Sequence, residues 1–494
     1  MVAKIHKNRI TFDQSVLKST KIYANVITRQ DFGRQKKESA VNFLKKVKDS
    51  MIENAYFHRV FVILQPKYKP NTTMKISKTI FILGLALLAM TSCNKDMFDK
   101  DLYNNNVNFL FMVDNADPDQ DWCLTKSDTI NIKVPDNRIY SIQILTDNPY
   151  TSKTAEVAAE GVPYDNVATM AFTIPISQST VYIAALDNNS NCIGVIPFTY
   201  GTEEVTVRIA DLQSSGTFTR PTNQTFTYLY ESTFPLPDDF DYNDMVLRIS
   251  KTVPYVVNPK SINLRVTLAA CGAGELYAAA IQLDGIKYSD IEKIEIIGDK
   301  PMDNGYPISP TFITNDNVLQ QGRNGNAVIR LFDCAQWAIS KQQDNVGDIA
   351  VIRYNTTHDT KEEYSATVSP VTTTYQITFK DREVARCFTF DRIDPFLIHE
   401  YNTGFFEVHT YAHKFDLCIS PIETDLRAYD NHISWSLVIP KGDFRYPIEG
   451  ISLCSYNSET GEVFGPYRGF SGWMQDHYTN LDWYKSVTQA TLVY

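Results

Sequence analysis

The chain reads as all-β: an N-terminal antiparallel β-sandwich of Ig-like kind, followed by a larger β-rich domain with one or two short helices. Three observations predict this. Short apolar runs alternate with polar residues at period two, as half-buried strands require. Turn clusters such as Asp187-Asn188-Asn189-Ser190-Asn191 interrupt those runs at short intervals. Few segments hold the 3.6-residue apolar period of a packed helix.

In chain order, the first region spans 107–213. Its expected strands are Thr129–Val134, Arg138–Ile144, Met170–Ile174, Thr180–Ala184 and Val205–Ile209. Their spacing fits a sandwich of about a hundred residues. Residues 214–223, Ser-Ser-Gly-Thr-Phe-Thr-Arg-Pro-Thr-Asn, read as a linker. The second region, 224–494, carries expected strands at Ile262–Leu268, Ile291–Ile297, Ala350–Tyr354, Thr374–Phe379, Phe406–Tyr411 and Ile433–Ile439. The helical candidates are Cys334–Ile339 and the aromatic stretch Phe470–Tyr484.

Upstream of both regions lies an address. Met74-Lys75-Ile76-Ser77-Lys78 is a basic start, Thr79–Met90 an apolar run of twelve residues, and Thr91-Ser92-Cys93 a small-small-Cys ending. That layout is a secretory signal, and its apolar run is too short to span a bilayer. The Cys makes it resemble a bacterial lipobox, which implies lipidation at Cys93. Segment 74–92 is then the signal peptide, 93–106 an acidic tether, and 1–73 a non-native extension or disordered leader. The tether resembles the export tags of surface lipoproteins in some Gram-negative bacteria. The expected location is the outer membrane, surface-exposed or periplasm-facing, with the membrane engaged through Cys93. Stable anchoring takes more than one acyl chain.

Net charge is -10 over 494 residues. Residues 1–73 carry roughly +10 of their own, which leaves about -20 on the rest. An acidic body of that size excludes nucleic acid as a partner, because phosphate binding needs a basic surface. The eight cysteines are scattered singly with no C-x-x-C. They are expected as free thiols in the core, with one or two disulfides as the other reading in an envelope compartment.

The densest chemistry lies between Asp238 and Asp244, where four carboxylates and Asn243 fall within seven residues, directly before an apolar strand. Like charges that close repel by about 1 kcal/mol per pair in water and more when buried. Asp239-x-Asp241-x-Asn243 matches the opening of an oxygen-ligand loop. Asp244 stands where such a loop needs Gly, so it is not an EF-hand. If the segment is extended, Asp239, Asp241 and Asn243 share one face. A Ca2+ site built from Asp239, Asp241, Asn243, Asp244 and Glu231 is one reading. A turn whose Asp side chains cap backbone N–H groups is the other.

Glu231–Leu247 also carries a family resemblance. The run Asp239-Phe240-Asp241-Tyr242-Asn243-Asp244 resembles the signature of the LruC-domain family of bacterial envelope proteins, with the two aromatics exchanged. Ala270-Cys271-Gly272-Ala273-Gly274 through Leu283, Asn326–Asp333, and Asp443–Pro447 through Trp473 and Trp483-Tyr484 fit in order. The resemblance covers roughly residues 224–494. It implies a secreted or lipid-anchored β-rich domain of unknown function and supplies no activity.

Enzyme motifs are poor. His399-Glu400 opens like a zinc-protease helix, but Thr403 replaces the second His; His409 and His413 lie in an extended segment. Gly272-x-Gly274 lacks the third Gly of a nucleotide loop, and no G-x-S-x-G occurs. No catalytic residue is assigned. The aromatics Phe464, Tyr467, Phe470, Trp473, Tyr478, Trp483 and Tyr484 read as a core cap or as a glycan-stacking platform. The functional expectation is a non-enzymatic envelope protein of binding, adhesion or structural role, with a glycan or surface protein as partner. The alternative is a cell-surface hydrolase acting on glycans through an unidentified carboxylate pair.

Overall fold

The computed structural model describes residues 116–232, 239–257, 259–298, 318–322, 324–340, 351–359, 364–401, 404–410, 434–457 and 462–494. The expected leader, signal and tether with Cys93, together with Asp238, Thr403 and His413, lie outside them.

The first eight strands are β1 (Thr125–Lys133), β2 (Ser141–Leu145), β3 (Glu156–Gly161), β4 (Val167–Pro175), β5 (Thr180–Leu186), β6 (Cys192–Thr199), β7 (Glu204–Thr206) and β8 (Thr222–Asn223). They form two sheets, ordered β4-β1-β7 and β6-β5-β2-β3-β8. Most pairs are antiparallel, but β7 joins β1 and β8 joins β3 in parallel. Alternation explains β1: Ile130 and Ile132 are buried between exposed Thr129, Asn131 and Lys133. Those two Ile side chains share a core with Ile142, Ile144, Val181 and Ile183 of the facing sheet.

The larger region continues with β9 (Thr225–Tyr230), β10 (Met245–Thr252), β11 (Ser261–Ala270), β12 (Tyr277–Lys287), β13 (Ile291–Ile296), β14 (Leu319–Gln321), β15 (Asn326–Phe332), β16 (Arg353–Tyr354) and β17 (Ser365–Ala366). It closes with β18 (Val371–Phe379), β19 (Ile393–Tyr401), β20 (Gly404–Val408), β21 (Ser436–Ile439), β22 (Ser455–Asn457) and β23 (Glu462–Phe464). A six-stranded sheet, β13-β18-β11-β10-β9-β21, and a five-stranded sheet, β14-β15-β12-β19-β20, share one core. β15 is buried along its whole length, and its Arg330 is neutralised by Asp333 at 2.6 Å.

The all-β expectation holds. Three short helices are described, one more than expected: α1 (Ala335–Ser340), α2 (Arg382–Arg386) and α3 (Gly469–Gln475). The unforeseen α2 is started by Asp381, whose carboxylate accepts the Glu383 N–H at 2.9 Å. No helix among the described residues is long and apolar enough to cross a membrane.

The C-terminal aromatics close the large core. Tyr467, Phe470, Trp473, Trp483 and Tyr484 are buried, whereas Phe464 and Tyr478 are exposed. Phe470 and Trp483 meet edge-on at 4.8 Å. Trp122, which precedes β1, packs edge-on against Trp473 at 5.5 Å. Gln120 donates to the Trp473 carbonyl at 2.7 Å, and Asp117 binds His477 Nδ1 at 2.6 Å. Five of the seven rings are therefore spent on packing. All six described cysteines are free thiols, and Cys271, Cys334 and Cys454 are buried.

Candidate functional site

The acidic run forms the end of the β9–β10 connection. β9 and β10 pair antiparallel from Tyr230 opposite Met245, so Glu231 leaves β9 where Asp244 enters β10. Residues 239–243 are not extended. Phe240 and Tyr242 sit at φ 53° and 55°, a left-handed conformation that costs an L-aromatic residue about 1–3 kcal/mol each. Burial offsets that cost: both side chains are fully buried, with Phe240 5.3 Å from Trp435 and the Tyr242 hydroxyl donating to the Ser434 carbonyl at 2.7 Å. The expectation that Asp239, Asp241 and Asn243 share the face of a strand fails for this reason. Two left-handed residues coil the run, and the carboxylates turn inward instead.

The coil brings three of the five candidate residues together. One carboxylate oxygen from each of Glu231, Asp239 and Asp241 lies within 4.8 Å of the other two. Glu231 and Asp241 are buried, and Asp239 is half-buried. Oxygens around one Ca2+ at about 2.3–2.6 Å from the ion are at most about 5 Å apart, so this spacing suits a shared cation. Glu231 Oε1 accepts the Tyr242 N–H at 2.6 Å. Asp241 accepts N–H groups from Asn243 at 3.0 Å and Gly450 at 2.9 Å. Burial, then the charges of Asp239, Asp244 and Glu449, push the Asp241 carboxyl well above the usual carboxylate range. A cation among these groups would reverse that balance.

Asn243 and Asp244 are turned to other work. The Asn243 side chain donates to the Pro447 carbonyl at 3.2 Å, and its buried Oδ1 abuts Gly272 without a hydrogen-bond partner. Asp244 Oδ2 accepts the Ser232 N–H at 2.6 Å. The N–H-capping reading thus describes Asp244 and part of Asp241, while the cation reading describes the Glu231–Asp239–Asp241 cluster. Sequence reasoning missed Glu449 and Gly450, which reach the cluster from the C-terminal block. Its only hint was the Asp443–Pro447 resemblance a few residues earlier.

A second buried ionic group lies where β20 ends. His409 Nδ1 meets Asp394 Oδ2 at 2.6 Å, and Nε2 meets Glu407 Oε2 at 3.2 Å; all three side chains are fully buried. The Thr410 hydroxyl donates to Asp394 Oδ1 at 2.7 Å, and the imidazole stacks on Phe396 at 4.4 Å. Both ring nitrogens face carboxylates, so His409 has neither lone pair to offer zinc. Burial alone would lower its pKa, but the two carboxylates outweigh burial and raise it to about 9.

No curated protein matches the chain. Among solved structures it is similar to one described as "Putative lipoprotein from Bacteroides ovatus", at 12% identity and a TM-score of 0.47, over 72% of this chain and 99% of that one. Residues 259–484 match the family model of a domain of unknown function, DUF4842, a stretch that begins after the acidic run and ends at Tyr484.

Proposed function

We propose that this chain is a lipid-anchored envelope protein with a binding or structural role. In this reading Glu231, Asp239 and Asp241 hold a Ca2+ ion that fixes the entry to β10. One observation carries the cation: the convergence of three carboxylates, two of them buried, in a coil held by buried aromatics. Backbone carbonyls and water would complete the six to eight oxygens such an ion takes. The lipobox ending at Cys93 and the resemblance to LruC-domain envelope proteins support the anchor and an outer-membrane location.

Each half has its own test. Saturating Ca2+ is expected to stabilise the wild type by about 2–3 kcal/mol, the linkage value near a hundredfold excess over Kd. Asp239→Asn should lose that gain. In chelator the variant should match or exceed the wild type, because one of the charges facing Asp241 is gone. Identical melting with and without chelator, together with no bound metal by elemental analysis, would remove the ion. Cys93→Ser should move the protein from the membrane to the soluble fraction and abolish acyl labelling. Retention of both in the variant would remove the anchor.

A further inference from the structure

The sheet β6-β5-β2-β3-β8 buries one face in the sandwich core, and its outer face should therefore be polar. It is not. Leu145, Val157, Ala184, Leu186 and Val195 form a small buried apolar cluster there. The segment after β7 folds across it. Thr219 donates to the Pro149 carbonyl at 2.8 Å, and Phe218 packs on Tyr150 at 5.4 Å. Gly216, at φ 119°, passes so close to the Tyr150 carbonyl that a Cβ would sit 2.3 Å from it. The segment read as a linker is thus fastened down as a partial roof.

The roof leaves a hollow of about 490 Å³. Small-molecule sites span about 300–1,000 Å³, so one or two sugar-sized rings fit. Its aromatic walls are Tyr150, Phe218 and Tyr255, and the last two are 42% and 43% exposed at the mouth. Its polar rim holds the amides of Gln143, Asn189 and Asn191, the Ser190 hydroxyl and Arg220. The side chains of Asn189, Ser190 and Arg220 make no hydrogen bond among the described residues. Arg220 is the one charged residue lining the hollow, and no carboxylate lines it. The neighbouring carboxylates are engaged with the walls: Asp187 holds Asn189 and Asn191, and Glu160 bonds Tyr255, which leaves the guanidinium as the charge the hollow presents.

From this we infer that the hollow binds a pyranose bearing a carboxylate, a uronic acid residue of an acidic glycan. A pyranose has an apolar C–H face and a rim of hydroxyls. Exposed aromatic rings cover the former, and the unengaged Asn189 amide and Ser190 hydroxyl match the latter, whereas Gln143 and Asn191 already donate to Tyr255 and Asp187. The guanidinium fork takes the carboxylate. The inference deepens the binding role proposed above and is independent of the cation.

The test titrates the full chain, in detergent, with an oligogalacturonate and with a neutral galactose oligomer of equal length. Saturable binding of the acidic probe is expected, at least about tenfold tighter than the neutral one. Phe218→Ala should weaken both. Arg220→Gln should erase the preference without shifting the melting temperature, since the side chain is exposed. Absence of saturable binding, equal affinity for the two probes, or an acidic preference that survives Arg220→Gln would each overturn the inference. The Ca2+ response and the Cys93 anchor are read on the same samples, so failure of the hollow and failure of the wider proposal are told apart.

Discussion

Replacing His409 by Gln is expected to lower the unfolding free energy by about 3–5 kcal/mol, the usual cost of removing one partner from a buried ionic group. The size follows from what remains. Asp394 and Glu407, both fully buried, would lose the cation between them. The amide of Gln can donate to one carboxylate but brings no charge. Neutralising both acids in the same background, Asp394→Asn with Glu407→Gln, should recover much of the loss, because the penalty lies in the stranded charges. The wild type carries a pH signature as well. The folded pKa of about 9 stands above the ordinary value of 6.5, so the charged imidazolium contributes stability that is fully present below about 6.5. That contribution falls away as pH rises through about 9. Denaturant unfolding at about pH 6 and about pH 10 should show a steeper loss in the wild type than in the Gln variant. Parallel losses would mean that His409 is neutral in the folded protein.

What the sequence made legible depended on whether the interaction was local. β1 and β11 each have one face more buried than the other, so alternation exposes them. β3, Glu-Val-Ala-Ala-Glu-Gly, has small residues of little strand preference and no period; its identity comes from pairing with β2. The α2 helix has five residues and shows too little periodicity to register. At the acidic run, residue types were legible and conformation was not. Aromatic residues rarely adopt positive φ, and only a core around Phe240 and Tyr242 makes it worthwhile. Glu449 and Gly450 arrive from some two hundred residues away, and nothing in the spacing of the run points to them. Glu407-x-His409 could be placed on one strand face, but Asp394 belongs to the preceding strand.

Gly272→Ala is the second large effect, expected at about 3–5 kcal/mol, the upper range for a single substitution. A Cβ there would lie 1.9 Å from Asn243 Oδ1 and 2.8 Å from the Asn243 carbonyl oxygen. The amide end could swing away only by giving up its bond to Pro447. The carbonyl is backbone and cannot move alone. Gly272 itself donates its N–H to the Asn243 and Asp244 carbonyls at 3.0 Å each, and Cys271 exchanges backbone bonds with Tyr354. Separating the two segments would therefore break those bonds and shift Asn243, whose N–H rests on Asp241. The variant should lose Ca2+-dependent stabilisation as well as stability in chelator, which ties the glycine to the cation cluster. Gly274 supplies the control. A Cβ there meets only the end of the Arg353 side chain at 3.8 Å, an ordinary contact, so Gly274→Ala should stay within about 1 kcal/mol of wild type. Equal effects from the two alanines would show that general backbone entropy, and not the approach to Asn243, explains the first glycine. A cation response intact in Gly272→Ala would uncouple that approach from the cluster.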